Sequence, residues 1–180
     1  IFYPESPRFV GDDFRLPADF PSSIQRVGVF VNETTPRILE KANALSLNCV
    51  QLHGSETIEQ CETLKASGLI AIKVFSVAYG FDFNVTKPFT PVVDYFLFDT
   101  KGKDRGGNGI AFDWELLRGY AQKKPFFLSG GIGLETSGGL QLFLGSGIGK
   151  NCYAIDVNSR FEIEPGLKDI EKLKMFGWNS

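Results

Sequence analysis

Short apolar runs rich in β-branched and aromatic residues recur along the whole chain, at residues 1–3, 27–31, 49–52, 70–77, 92–98, 126–128 and 152–157. None alternates cleanly between apolar and polar positions, so they read as strands buried on both faces, as parallel strands covered by helices are. Helical spacing fills most of the gaps. Residues 35–44 open on Thr35-Pro36, a capping residue followed by a proline suited to the first turn. Residues 55–66 open on Ser55-Glu56 and stop before Gly68. Residues 112–123, 134–144 and 167–176 predict three more helices, whereas 12–22 and 81–90 hold too much proline and too many β-branched or aromatic residues to be more than weak ones.

Strands spaced roughly 20 to 30 residues apart with helices between them mean repeated βα units and a parallel sheet. No linker-like shift in composition divides them, so the chain reads as one α/β domain over residues 1–180. Two architectures compete, an open doubly wound sheet and a closed (βα)8 barrel, and both gather ligand chemistry at the carboxyl ends of strands. The residues there are Tyr3-Pro4-Glu5-Ser6-Pro7-Arg8, Asn32-Glu33, His53-Gly54, Asp99-Thr100-Lys101, Ser129-Gly130-Gly131 and Asp156-Val157-Asn158-Ser159. Polar groups at successive strand ends converge only if the strands form a ring, which favours the barrel. For that fold 180 residues is short by about one βα unit, since such barrels need roughly 200 or more.

Composition narrows the class of partner. With 43% hydrophobic and 22% charged residues the chain is globular rather than disordered. Nineteen basic against 21 acidic residues, without a basic cluster, argue against a nucleic-acid surface. The longest nearly uncharged stretch, residues 130–149, is broken by glycines and polar residues and does not read as a membrane span; no signal-peptide pattern opens the sequence. Cys49, Cys61 and Cys152 lack C-x-x-C spacing and read as free thiols of a cytoplasmic protein, with Cys49 and Cys152 in the core.

Candidate chemistry follows from the strand ends. Asp99 closes the apolar run Tyr95-Phe96-Leu97-Phe98, and a carboxyl among apolar walls suits general-acid work because desolvation disfavours the charged form. A turn cap or a pairing with Lys101 or Lys103 is the plainer alternative. Residues 102–109 hold four glycines and three charges, a candidate lid or a simple surface connection. Ser129-Gly130-Gly131-Ile132-Gly133 leads from a strand into a helix, where backbone N–H groups and a helix N-terminus receive an anion. Together with Asp156-Val157-Asn158-Ser159 on the next strand end it points to a phosphorylated ligand. Neither a Walker loop nor a strand-linked G-x-G-x-x-G occurs. His53 is the only histidine, so no His-rich metal site forms; Arg8 offers a guanidinium fork to a carboxylate or remains a solvated loop residue.

These residues resemble the phosphoribosylanthranilate isomerase family, barrel enzymes of tryptophan biosynthesis. The likeness lies in Phe2-Tyr3-Pro4-Glu5-Ser6-Pro7-Arg8, Val27-Gly28-Val29-Phe30-Val31-Asn32, Val50-Gln51-Leu52-His53-Gly54, Phe98-Asp99-Thr100, Gly106-Gly107-Asn108-Gly109, Phe112-Asp113-Trp114, Leu128-Ser129-Gly130-Gly131 and Asp156-Val157-Asn158-Ser159. Glu162, Pro165-Gly166 and Lys168-Asp169 complete it. The resemblance implies an aldose–ketose isomerase that performs the Amadori rearrangement of N-(5-phosphoribosyl)anthranilate to 1-(2-carboxyphenylamino)-1-deoxyribulose 5-phosphate. It implies Asp99 as general acid and Arg8, His53 and Asp156 as substrate-binding residues. Gly130, Gly131, Asn158 and Ser159 would hold the phosphate. Neither a cofactor nor a metal is implied, and the protein is expected as a cytoplasmic monomer or homodimer.

Three departures stand out. The family's general base is a cysteine closing the first strand in a Lys-Ile-Cys-Gly type motif, which is absent here. Asn158 and Arg160 stand where the family usually has Ser and Gly, leaving Arg160 between anion binding and solvent, and Asn108 stands for Thr. Ile1 aligns within the family's second strand, so the first strand, first helix and start of the second are expected upstream of it. Without the base, these 180 residues are expected to be nearly inactive. The rival readings are another phosphate-binding barrel enzyme, which would need different strand-end residues, and a binding module that keeps the ligand contacts without the base.

Overall fold

Strands form at six of the predicted runs: β1 (Val27–Phe30), β2 (Cys49–Leu52), β3 (Ile70–Val77), β4 (Tyr95–Thr100), β5 (Phe126–Ser129) and β6 (Cys152–Ile155). The structure, a computed structural model, describes residues 1–100 and 114–177. The strands are ordered β1-β2-β3-β4-β5-β6, and the β1–β2, β2–β3 and β5–β6 ladders are parallel. A doubly wound sheet reverses its strand order at a switch point; an unbroken sequential order is that of a barrel wall. The chain folds into two compact units, Ile1–Val74 with Thr86–Phe96, and Phe75–Val85 with Leu97–Ser180.

In the first unit, α1 (Thr35–Leu45) buries Ile38, Ala42 and Leu45, spaced so that they share one helix face. Thr34 rather than Thr35 precedes it in extended conformation, and Pro36 occupies its first turn. The second helix, α2 (Ile58–Ala66), begins three residues later than the spacing predicts. Its cap is Thr57, whose hydroxyl accepts from the Gln60 N–H at 3.2 Å, leaving Ser55 and Glu56 in the preceding loop. Residues 1–3 form no ladder strand: the Phe2 N–H donates to the Val29 carbonyl at 2.8 Å, and its ring stacks on Phe30 at 5.3 Å. Residues 12–22 run through turns without a helix.

Freed from the helix, Glu56 turns inward. Its fully buried carboxylate lies 2.8 Å from the Lys73 ammonium, whose side chain is 4% exposed in the middle of β3. Lys73 also donates to the carbonyls of Leu52 at 3.3 Å and Gly54 at 2.7 Å. The Glu56 carboxylate in turn accepts the Asn32 N–H at 2.9 Å and the Gly54 N–H at 3.0 Å. One ion pair thereby joins the carboxyl ends of β1 and β2 to β3.

In the second unit rings fill the interior. Phe98 lies 4.9 Å from Tyr120, 5.2 Å from Phe126 and 5.7 Å from Phe83, in edge-on or tilted arrangements that suit the aromatic quadrupole. The helix predicted over 112–123 is, in its described part, a 3₁₀ segment at Trp114–Gly119, ending just before Tyr120, which joins this cluster. A short 3₁₀ turn, Leu134–Thr136, leads into α3 (Ser137–Leu144). The last predicted helix is split. Leu167–Lys168 forms β8, antiparallel to β7 (Glu162–Glu164) across a turn at Gly166 with φ +91°. Asp169 then caps α4 (Ile170–Phe176) by accepting the Lys172 N–H at 3.1 Å.

Lys73→Met leaves the Glu56 charge buried without its partner, a defect worth about 3–5 kcal/mol. Urea unfolding should show a loss of that size, and the Lys73→Met/Glu56→Gln double variant should recover much of it. Burial is the largest single influence and pushes the Glu56 carboxyl up, but the Lys73 hydrogen bond and charge, together with backbone N–H groups, outweigh it and hold the carboxyl below its ordinary value of 4.5. The pair's stabilisation is therefore complete above pH 4.5 and is lost as the pH falls through the lowered folded value; Glu56→Gln should flatten the acid limb of the stability curve.

Candidate active site

The second unit carries most of the predicted site. Asp99 is half-buried at the end of β4, after Phe96, Leu97 and Phe98, which are 0%, 1% and 0% exposed. Side chains alternate along a strand, so the packing that holds Phe98 in the ring cluster turns Asp99 to the opposite face. After β5 the backbone takes left-handed conformations twice in succession, at Gly130 (φ +100°) and Gly131 (φ +57°), which glycine adopts most readily. The Gly133 N–H then donates to the Thr136 hydroxyl at 2.9 Å, and Thr136 closes the turn on the Gly133 carbonyl at 3.1 Å.

The next strand end lies beside this loop. The Asp156 N–H donates to the Leu128 carbonyl at 2.7 Å, continuing the β5–β6 ladder, and the Ser129 hydroxyl donates to the Asp156 carboxylate at 3.2 Å. Asn158 follows, and exposed Ser159 opens a 3₁₀ turn, Ser159–Phe161, anchored by fully buried Phe161. Gly130, Gly131, Asp156, Asn158 and Ser159 thus occupy two adjacent strand ends. Arg160 is paired with the Glu135 carboxylate, and its stem crosses Gly133, where an added Cβ would lie 2.8 Å from the Arg160 Cδ. The charge of Arg160 is thus matched by a carboxylate at a half-exposed position.

Arg8 and His53 belong to the first unit. Arg8 is half-buried in a turn in which the Ser6 N–H donates to Tyr3 and the Phe9 N–H to Ser6, at 2.9 and 3.0 Å. His53 is exposed at the end of β2, and its N–H donates to the Phe30 carbonyl at 2.9 Å. The next position admits only glycine, since a Cβ on Gly54 would lie 2.3 Å from the Asn32 side-chain oxygen. Sequence reasoning missed the buried pair beneath this turn. Its signal was a lysine, the one charge inside the apolar run 70–77.

The three cysteines sit in structural positions. Cys49 starts β2, Cys61 lies in α2 and Cys152 starts β6; Cys49 and Cys61 are buried, while Cys152, expected in the core, is half-buried. Burial pushes the Cys61 and Cys152 thiols up to about 11 and raises Cys49 as well, so none is a ready thiolate. The candidate lid at 102–109 lies outside the described residues, as do Phe112 and Asp113. Among the described residues no group of three or more His, Cys, Asp or Glu side chains is placed to hold a metal ion, and no helix is long and apolar enough to cross a membrane.

Known proteins match this chain along nearly its whole length. The family model described as N-(5'phosphoribosyl)anthranilate (PRA) isomerase matches residues 1–178. An N-(5'-phosphoribosyl)anthranilate isomerase of Parabacteroides distasonis is 45% identical over 98% of this chain and 79% of its own. A solved phosphoribosyl anthranilate isomerase from Thermotoga maritima superposes with a TM-score of 0.77 at 34% identity, covering 97% of this chain and 82% of that one. Another solved isomerase, in complex with reduced 1-(o-carboxyphenylamino)-1-deoxyribulose 5-phosphate, gives 0.75 at 31% identity, covering 97% and 81%.

The burial of the thiols is open to direct measurement. Iodoacetamide at pH 8 should alkylate Cys61 and Cys152 far more slowly in the native protein than in urea, with the native rate climbing toward pH 11. Mass spectrometry of the alkylated peptides reads both rates, and fast native labelling of Cys61 would contradict its burial.

Proposed function

Because the chain belongs to the N-(5'-phosphoribosyl)anthranilate isomerase family, the isomerase of tryptophan biosynthesis, we propose that its own residues divide that reaction between acid catalysis and substrate holding. Asp99 is the general acid. It gives its proton to the furanose ring oxygen as the bond from that oxygen to C1 breaks, leaving an iminium. Loss of the C2 proton to a general base forms an enolamine, and return of a proton to C1 with loss of the C2 hydroxyl proton gives the aminoketone, so no net oxidant or reductant is consumed.

The observation that carries the acid role is the rigid strand behind Asp99: Phe96, Leu97 and Phe98 are all packed away, so the carboxyl is presented from a fixed backbone. Pre-set geometry of this kind is what proton transfer to a bound substrate requires. Gly130, Gly131, Asn158 and Ser159 hold the phosphate. Support for that role is the adjacency of the two strand ends and the left-handed Gly130-Gly131 backbone, which leaves N–H groups open to close approach. Asp156 contacts the anthranilate side, Arg8 holds the anthranilate carboxylate, and His53 lines the site in support. One barrel domain carries these roles.

No general base is assigned among these residues, and the three thiols, raised by burial, are not ready thiolates. The 180-residue chain alone should therefore turn over at least about 10²-fold more slowly than its full-length relatives, the usual scale of losing a general base. A steady-state assay of product formation checks this, and turnover equal to a relative's would refute it. Supplied with a strand ending in Cys-Gly, the chain should become active. In that parent, Asp99→Asn should reduce turnover by about 10²–10⁴-fold with little change in KM. Near-normal turnover would remove Asp99 from the acid role.

A further inference from the structure

Asn158, which stands where relatives are expected to carry serine, has one side-chain partner among the described residues. Its Oδ1 accepts from the Lys168 ammonium at 2.7 Å. A lysine ammonium only donates, so the amide oxygen must face it, and the orientation of the amide is decided by chemistry. The Nδ2 group is left with two N–H donors and no protein partner among the described residues.

Lys168 is itself held. It lies 2.9 Å from the Glu162 carboxylate, whose side chain is 4% exposed, and Glu162 faces Lys168 in the β7–β8 register. The Gly166 N–H donates to the same carboxylate oxygen at 3.3 Å, which closes the hairpin on it. Backbone bonds tie the loop after Asn158 to the end of the hairpin: the Phe161 N–H donates to the Asn158 carbonyl at 2.9 Å and the Asp169 N–H to the Phe161 carbonyl at 2.8 Å. Phe161 is buried and stacks edge-on against Phe176 at 5.0 Å.

We propose that Lys168 is a positioning residue that locks Asn158 with its amide N–H groups outward, adding a side-chain donor to the phosphate loop. The inference rests on the reading that Asn158 and Ser159 hold the substrate's phosphate. The ligand is a phosphate monoester, whose oxygens only accept, so an Asn158 locked in the opposite sense would present a repelling carbonyl. A serine at this position donates after simple rotation of its hydroxyl and needs no such lock.

A double-mutant cycle read by calorimetric binding of ribose 5-phosphate to the protein separates positioning from plain charge. Lys168→Met should weaken binding about tenfold when Asn158 is present, the scale of one hydrogen bond to a charged group, and by less than twofold in an Asn158→Ser background. Equal weakening in both backgrounds, or none in either, overturns the proposal. Asn158→Asp keeps the Lys168 and Glu162 pairing intact and so guards against loss of fold; it should weaken binding by tenfold or more, and unchanged affinity overturns the proposal. Gly131→Val tests the underlying site. If it abolishes binding while every Lys168 and Asn158 variant binds as the wild type does, the phosphate site stands and the inference fails. If the wild type binds no ribose 5-phosphate, or Gly131→Val leaves binding unchanged, both fail.

Discussion

A lysine ammonium and a glutamate carboxylate buried together constrain everything around the first three strand ends. Removing either ion from water costs several kcal/mol, and such a pair persists only where further hydrogen bonds satisfy what the partner leaves open. Here they do: Lys73 spends its donors on Glu56 and on the Leu52 and Gly54 carbonyls, and Glu56 receives the Asn32 and Gly54 N–H groups. The chain must then pass His53-Gly54 close against Asn32, which is held at φ +53°, a conformation that asparagine tolerates better than most residues. The shape of this strand-end turn is a consequence of the ion pair, and α2 starts late because Glu56 is needed inside.

The second unit solves the same problem by different means. Rings, not charges, set its geometry, with Phe98 clasped by Phe83, Tyr120 and Phe126 and Asp99 turned the other way from the same strand. Where the backbone must bend away from β5, two glycines in succession take left-handed conformations, and the Ser129–Asp156 bond joins that bend to the end of β6. Charged side chains appear here in pairs at the edge of the loops, Arg160 with Glu135 and Lys168 with Glu162. Such neutralised cations orient neighbours more than they attract a distant anion, because the partner carboxylate offsets most of their field. That division suits the phosphate-holding role proposed for the loop.

Membership of the isomerase family and the residue inventory meet at one point. The proposed acid, Asp99, and most of the proposed holding residues lie at strand ends, while burial raises all three thiols, so the role proposed for these residues is the acid half of a proton transfer between an acid and a base. A carboxyl proposed to protonate a sugar ring oxygen must be fixed by rigid neighbours, and the packing of Phe96, Leu97 and Phe98 behind Asp99 supports that proposal.

The sequence by itself determined six of the strands and their parallel reading, because unbroken apolar runs such as 49–52 and 126–128 favour burial between helices and that preference is local; its motifs carried the family. It also marked Asp99, Gly130, Gly131 and the 156–159 segment, since a polar residue closing an apolar strand is visible without knowing its neighbours. Tertiary structure alone decided what Glu56, Lys73, Asn158 and Lys168 do. By spacing, Glu56 belongs to the first turn of a helix and Lys168 to the start of another; each is withdrawn from it by a partner distant in sequence, 17 residues away for Glu56 and 10 for Lys168. Periodicity reports which face of an element is apolar, whereas a buried charge is placed by whichever opposite charge the fold delivers to it, and that information exists only once the strands are side by side.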